Sequence, residues 1–208
     1  MPFNINTFIS DYKKNGYLQN NSFQVFIPSP PILQDSAINN NGTLIDPKAM
    51  TRELTFRAES FKAPGMILSD HNLVQRYGVG IPQKYPANAR VTDGKLIFVS
   101  DKYGSLWQFW YHWVNGIFGF AGADNATGST VVNSTASYQL EYKSKYAVTI
   151  TVLVYNKTGK VAQTINLYNC YPTALQDVPL SWSNQELMKL TVDITFRDFS
   201  IQGAGTVH

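Results

Sequence analysis

The sequence predicts a mainly β protein, an antiparallel sandwich or partly rolled barrel that carries one amphipathic helix. Runs of alternating apolar and polar residues support the β class, and the clearest of them extends from Leu190 to Arg197. A single long run has strong helical spacing, and strands do not alternate with helices as they do in a parallel sheet. The length of 208 residues suits one such domain.

The predicted elements form one domain, residues 23–201, with loop insertions at 33–49 and 120–137. An arm at 1–22 precedes this domain and a flexible tail at 202–208 follows it. The chain contains no internal repeat. We therefore expect one hydrophobic core and two extended terminal segments.

The first third of the chain is predicted to hold short elements. Between Asn4 and Tyr17 apolar residues recur at helical spacing, enough for one or two turns of helix. A short apolar strand from Phe23 to Ile27 ends at a group of prolines. Leu33 to Ala49 is polar and longer than the usual connection in a compact domain, so we predict a loop with a specific use.

Two or three strands are predicted in the middle of the chain. Thr51 to Lys62 alternates and is stopped by Ala63-Pro64-Gly65, and Ile67 to Arg76 forms the next strand. Ala89 to Ser100 is apolar on both faces near its end, which indicates a strand covered on both sides.

The spacing changes to three and four from Asp101 to Phe118 and predicts an amphipathic helix. Asp101 or Ser105 suits its N-cap, and Gly119 lies just past its end. The apolar face is wide and includes three tryptophans, which are costly to leave in water at about 25 cal/mol per Å². We expect packing on the sheet or contact with a second subunit from these residues: Leu106, Trp107, Trp110, Trp113, Val114 and Ile117.

The last third predicts a loop followed by strands. Phe120 to Ser137 is rich in Gly, Ala, Ser and Thr, which is typical of a loop. Tyr138 to Tyr155 is predicted as a long strand that turns back at Asn156 to Lys160. In the final strand one face is apolar, and the other carries Thr191, Asp193, Thr195 and Arg197.

Composition limits the classes of function. Charged residues make up 15% of the chain, below the usual roughly 25%, and such a surface suits an assembly in which neighbours cover it. An ordinary all-β composition is the alternative. The net charge of +3 is spread along the chain, unlike the clustered basic surface of a nucleic-acid reader. We expect no signal peptide and no membrane span.

No local motif for catalysis or metal binding is present. The three histidines are not paired at ligand spacing, and His112 is expected to be packed or solvated within the helix. The single cysteine, Cys170, excludes an internal disulfide and is expected to be a small buried side chain. Residues 122–129 are glycine-rich but lack the lysine of a phosphate loop. We therefore predict no catalytic, cofactor-binding or metal site.

Four segments, taken together in order, carry a family resemblance. They are Asn20 to Val25, Phe56 to Gly65, Asp93 to Asp101 with the helix that follows, and Tyr171 to Glu186 with the closing strand. The chain resembles the tail tube proteins of contractile-tailed bacteriophages, including the related baseplate proteins that initiate the tube. The last segment is the most specific of the four.

The resemblance implies a structural subunit of the inner tail tube, found in the virion and made in the host cytoplasm. It implies hexameric rings closed by strand pairing and stacked around a channel for DNA, with tail sheath and baseplate proteins as partners, no cofactor and no membrane insertion. Thr191, Asp193, Thr195 and Arg197 are then candidates to line the channel; an ordinary solvent face is the alternative. A baseplate-proximal initiator ring remains open, as do, from other classes, a monomeric ligand-binding β-sandwich and an enzyme.

Overall fold

A computed structural model describes residues 4–16, 18–35, 39–40, 43–44, 47–73, 83–118, 140–183 and 186–203 of the protein. The predicted loop at 120–137 and the end of the predicted tail therefore lie outside the described residues. In the first half of the chain the elements are α1 (Ile5–Asn15), β1 (Phe23–Phe26), α2 (Pro31–Asp35), β2 (Asn39–Asn40), β3 (Thr43–Leu44), α3 (Pro47–Arg57), β4 (Ala58–Lys62), β5 (Met66–Leu73), β6 (Gln83–Val91) and β7 (Gly94–Val99). In the second half they are α4 (Ser105–Phe118), α5 (Lys143–Tyr146), β8 (Val148–Tyr155), β9 (Val161–Leu175), β10 (Lys189–Thr195) and β11 (Asp198–Gly203).

Seven strands form one antiparallel sheet in the order β1-β8-β9-β10-β7-β4, with β11 also paired to β9. Strand β9 joins two halves of this sheet, because its first part pairs with β8 and β11 and its last part with β10. The register slips at Asn169, whose positive φ of 54° is tolerated by asparagine. Such a bulge bends a strand and increases its twist. The described strands therefore curl without closing a barrel, which confirms the predicted fold class.

The core lies between the apolar faces of both halves of the sheet and the helix α4. Trp110 and Trp113 are completely buried and stack with ring centroids 5.2 Å apart, and Phe98 of β7 packs 5.5 Å from Trp110. The indole Nε1 of Trp113 donates to the carbonyl of Tyr146, 3.0 Å away. The predicted amphipathic helix is thus a central part of the core.

The N-cap position of α4 is Gly104, whose carbonyl accepts from the Gln108 amide at 3.2 Å, and not Asp101 or Ser105 as predicted. The side chain of Asp101 nevertheless caps the helix. Its carboxylate accepts from the Ser105 hydroxyl at 2.5 Å and from the Leu106 amide at 3.3 Å. Gly104, with φ +68°, makes the left-handed step that brings the chain from Asp101 into the helix. Partial burial acts to raise the pKa of the Asp101 carboxyl, but the hydrogen bonds outweigh it and the pKa lies below the ordinary 3.8.

Replacing Asp101 with alanine is expected to lower the free energy of unfolding by about 1 kcal/mol at neutral pH, the usual value of a lost cap. Because folding lowers the pKa, the carboxylate's contribution is complete above pH 3.8 and is lost as the pH falls through the lower folded value. Urea unfolding of both proteins across this range should show the gap narrowing in acid. A gap that stays constant down to pH 2 would contradict the role of the charge.

The predicted strand from Thr51 to Lys62 is wrong for most of its length, since α3 extends to Arg57 and only Ala58–Lys62 is extended. Met50 and Leu54, four residues apart, are both buried, whereas Phe56 is 70% exposed. The alternation at 54, 56 and 58 was therefore accidental. Pro47 at the first helical position was the signal that favoured a helix.

Other boundaries also differ from prediction. The predicted loop at 33–49 contains the end of α2, a short hairpin of β2 and β3, and the start of α3. The strand predicted from Tyr138 begins only at Val148, after the single helical turn α5. The arm forms a longer helix, α1, than the one or two turns predicted. Within the described part of the chain, no helix has both the length and the hydropathy needed to cross a membrane.

The strand predicted from Ala89 to Ser100 is divided into β6 and β7 by Thr92 and Asp93. Strand β6 pairs antiparallel with β5, and β7 pairs antiparallel with β4, so residues 58–73 and 83–99 form two long antiparallel segments. The β4–β7 pair and the β5–β6 pair meet where Thr92 and Gly65 exchange hydrogen bonds of 2.8 and 3.0 Å. The proximal half, β4 and β7, belongs to the main sheet. The distal half, β5 and β6, pairs only with itself among the described strands, and we call these two strands (66–73 and 83–91) the ribbon.

Candidate functional site

Strand β10 carries the polar residues predicted as a candidate surface. Its alternation is as predicted: Leu190, Val192 and Ile194 are buried, and the residues between them are partly exposed on the other face. Strands β9 and β7 flank β10, so both of its edges are hydrogen-bonded within the same chain. Arg197 follows β10 at an exposed bend and donates its amide to the Tyr168 carbonyl at 3.0 Å.

The solvent side of β10 and its neighbours forms what we call the charged face, made of Glu59, Asp93, Lys95, Lys189, Thr191, Asp193 and Thr195. Lys189 contacts Glu59 at 2.6 Å, and Lys95 lies 4.0 Å from Asp193. The hydroxyl of Thr195 donates to Asp93 at 2.5 Å. Exposed ion pairs of this kind contribute little to stability. Because each lysine lies beside a carboxylate, the positive and negative charges of this face largely cancel.

The same side of the other half of the sheet carries uncharged polar pairs, which sequence reasoning missed. We call it the neutral face after its hydrogen-bonded residues, Gln24, Thr151, Tyr155, Asn166, Tyr168 and Ser200. Asp198, the strand partner of Tyr168, adds an exposed carboxylate at its margin. The Tyr155 hydroxyl donates to Gln24 at 2.8 Å, the Thr151 hydroxyl donates to Asn166 at 3.0 Å, and the hydroxyls of Tyr168 and Ser200 lie 3.0 Å apart. The signal available was the alternation of Thr149 and Thr151 in β8, and of Thr164, Asn166 and Tyr168 in β9, with apolar residues.

The six helix residues predicted to pack or to meet a subunit separate into two groups. Leu106, Trp110, Trp113 and Ile117 lie in the core of their own chain. Trp107 is half-buried and packs against the same core, and Val114 is half-buried; a subunit contact through these two stays a prediction. The outer side of α4 presents Tyr111, which is exposed.

Open strand edges are a second feature that the spacing of apolar residues could not predict, after the neutral face. Among the described strands β1, β4 and β11 each have a neighbour on one side only. Between β1 and β4, where the two halves of the sheet do not meet, lies a groove of about 640 Å³ with Phe23, Phe61 and Ile165 in its lining. Unpaired edges present free amide and carbonyl groups to another chain.

Cys170 is a buried thiol without a catalytic setting. Its Sγ donates to the Leu167 carbonyl at 3.1 Å, and burial raises its pKa to about 12. Burial lowers the pKa of His112, which is half-buried on α4. No group of three or more His, Cys, Asp or Glu side chains within the described ranges is placed to hold a metal ion.

These features define a class: an antiparallel β protein with a helix-covered core, a polar sheet face and open strand edges with which another chain can pair. A model of the phage tail tube protein family matches residues 18–202, and the chain therefore belongs to that family. The resemblance found in the sequence is thus confirmed. No curated protein matches the chain at a significant level.

Solved structures with the same fold come from contractile injection systems. A chain of the PVC sheath-tube complex in its extended state is 15% identical, with 94% of this chain and 97% of that chain covered and a TM-score of 0.56. A chain of the anti-feeding prophage tube terminating cap is 13% identical, with 90% and 92% covered and a TM-score of 0.54. A chain of the anti-feeding prophage baseplate is 9% identical, with 72% and 83% covered and a TM-score of 0.51. At these identities the likeness shows the fold.

Proposed function

We propose that this chain is a structural subunit of the inner tube of a contractile tail, whose copies form hexameric rings that stack around a channel for DNA. The open edges β1, β4 and β11, in a member of the tail tube family, carry this proposal. Pairing with neighbours in a closed ring satisfies such edges. We assign β11 to the contact between subunits, because it is six residues long, continues the paired strand β10 and exposes Ile201.

The charged and neutral faces are the surfaces we assign to the channel, with α4 on the outside of the ring. Thr191, Asp193, Thr195 and Arg197 then lie toward the channel, as the sequence predicted. Paired charges and neutral hydrogen-bonded groups suit this position, since DNA binding depends mainly on net positive charge facing the phosphates. DNA would pass without sequence readout.

A tail sheath, a baseplate and a place in the virion tail complete the proposal. The similar fold of a chain from a sheath-tube complex supports the sheath as a partner. A baseplate-proximal initiator ring is the second candidate, supported by the similar fold of a chain from a baseplate over a smaller share of this protein. The exposed Ile5 and Ile9 of α1 give the arm an apolar side that a neighbouring subunit would cover.

Electron microscopy of the purified protein tests the proposal. We expect rings or tubes that form without any other component, with the charged face toward the channel in a reconstruction. Rings that form only on added baseplate proteins would favour the initiator instead. A protein that remains monomeric at high concentration and on a baseplate template would contradict both and favour the monomeric binding module.

A further inference from the structure

The connection between β9 and β10 presents large apolar side chains to solvent. Trp182 is fully exposed, and Leu180 and Leu187 are 77% and 72% exposed. We call the described residues of this connection, 176–183 and 186–188, the tryptophan loop. A wholly solvated tryptophan flanked by leucines is unusual on an isolated protein and typical of the centre of an interface.

Both ends of the tryptophan loop are fixed on the main sheet. The Gln176 amide donates to the Thr191 carbonyl at 3.0 Å, and the Ser100 amide donates to the Met188 carbonyl at 2.9 Å. The loop is therefore held at one end of the sheet, where β10 begins and β7 finishes.

The ribbon extends from the opposite end of the same strands. Lys189, next to the loop, pairs with Val99, whereas Ile194 pairs with Gly94, next to the ribbon. Every described side chain at 66–70 and 84–90 is exposed, including the consecutive apolar residues 66–68. Strand β5 of the ribbon has eight residues and spans about 26 Å at roughly 3.3 Å per residue. A two-stranded ribbon without further contacts is only marginally stable in water.

The two ends carry opposite charge. The tryptophan loop contains Asp177 and Glu186 and no basic residue. The described part of the ribbon, taken with the end of β4 (residues 62–73 and 83–91), contains three basic residues against one acidic one: Lys62, Lys84 and Arg90 against Asp70. Asp70 is already paired with Lys84 at 3.4 Å, and Lys62 and Arg90 are exposed. Complementary potentials of this kind select a partner and its orientation.

We propose that the tryptophan loop of one copy packs against the ribbon of the next copy, head to tail. The two surfaces are apolar and oppositely charged, and they lie at opposite ends of one sheet, so each copy offers one of each. Contacts between two different surfaces of identical subunits repeat from copy to copy and produce rings or stacks. This inference rests on the proposed function, because it names which surfaces meet when copies assemble.

Site-directed cross-linking tests the contact. A Trp182→Cys protein and an Ile67→Cys protein are mixed under assembly conditions and treated with a short bismaleimide, and we expect a cross-linked dimer. Cys170 does not compete, since it is buried and its pKa is about 12. The matched control pairs Trp182→Cys with Lys160→Cys, which is exposed on the turn between β8 and β9, and should give at least fivefold less dimer. Equal yields for the two mixtures would overturn the proposal.

Charge reversal provides an independent readout. One variant reverses the charges of the tryptophan loop (Asp177→Lys with Glu186→Lys), and a second reverses those of the ribbon side (Lys62→Glu with Arg90→Glu). Each is expected to raise the protein concentration needed for assembly about tenfold. Reversing both in one chain should restore assembly. The contact would be contradicted if either charge-reversed variant assembled at the wild-type concentration. It would also be contradicted if the chain carrying both reversals needed a higher concentration than either variant alone. If the wild-type protein forms rings but these two tests fail, only the contact between the tryptophan loop and the ribbon is contradicted. If the wild-type protein never assembles, the proposed function is contradicted as well.

Discussion

Replacing Trp110 with alanine is expected to lower the free energy of unfolding by about 3–5 kcal/mol, the usual cost of truncating a buried aromatic residue to alanine. The side chain is completely buried and contacts Phe98, Phe109 and Trp113, with ring centroids 5.2–5.6 Å away. These rings belong to β7 and to α4 itself, so the cavity left behind separates the helix from the sheet. Since the total free energy of unfolding of a domain is only about 5–15 kcal/mol, this loss is a large share of it.

Urea unfolding of unassembled protein, followed by circular dichroism, measures this effect. Tyr111→Ala is the matched control, because Tyr111 is exposed on the next position of the same helix and should change stability by less than about 0.5 kcal/mol. If Trp110→Ala were as stable as Tyr111→Ala, the helix would not be a core element. That outcome would favour the alternative in which its aromatic residues line a ligand groove.

Proline in β11 is expected to abolish assembly while leaving the subunit folded. Successive amides of a strand point in opposite directions, so Ile201→Pro and Gln202→Pro remove donors on opposite sides of β11. One of these donors faces β9 and the other faces the open edge. If neighbouring copies pair along that edge, the substitution that removes the outward donor should stop ring formation, with an increase of at least about a hundredfold in the concentration required for assembly.

Thermal melting of the monomer identifies which variant lost the outward donor, since that variant should retain the wild-type melting temperature. The other variant loses a bond to β9 and should melt several degrees lower. Ultracentrifugation then compares assembly. A variant that melts like the wild type and also forms normal rings would show that β11 is not a subunit contact, and β1 or β4 would have to supply the edge.

The segments that the sequence predicted well are those whose local pattern had one interpretation. β10 alternates over its whole length, and its buried and exposed residues follow that alternation. Spacing by three and four, with Asp101 before it, predicted α4, although the helix begins at Ser105. The hairpin turn after Tyr155 was also predicted, and the Asn156 side chain accepts there from the amides of Thr158 and Lys160 at 3.0 Å.

The sequence misled where a short pattern allowed two interpretations. Apolar residues at 54, 56 and 58 fit a strand, while Met50 and Leu54 fit a helix, and only burial against β1 and β7 decided for the helix. The residues of the neutral face pair across strands far apart in sequence, such as Gln24 with Tyr155. No local pattern contains that pairing.

By itself the sequence determined that this is an antiparallel β protein of the tail tube family, because alternation, turn residues and ordered motifs are local properties of the chain. Tertiary structure alone decided that β10 is enclosed while β1, β4 and β11 are open, and that the ribbon and the tryptophan loop extend from opposite ends of one sheet. Strand order and exposure depend on contacts between residues distant in sequence, and a period of two marks a strand's faces without indicating its neighbours.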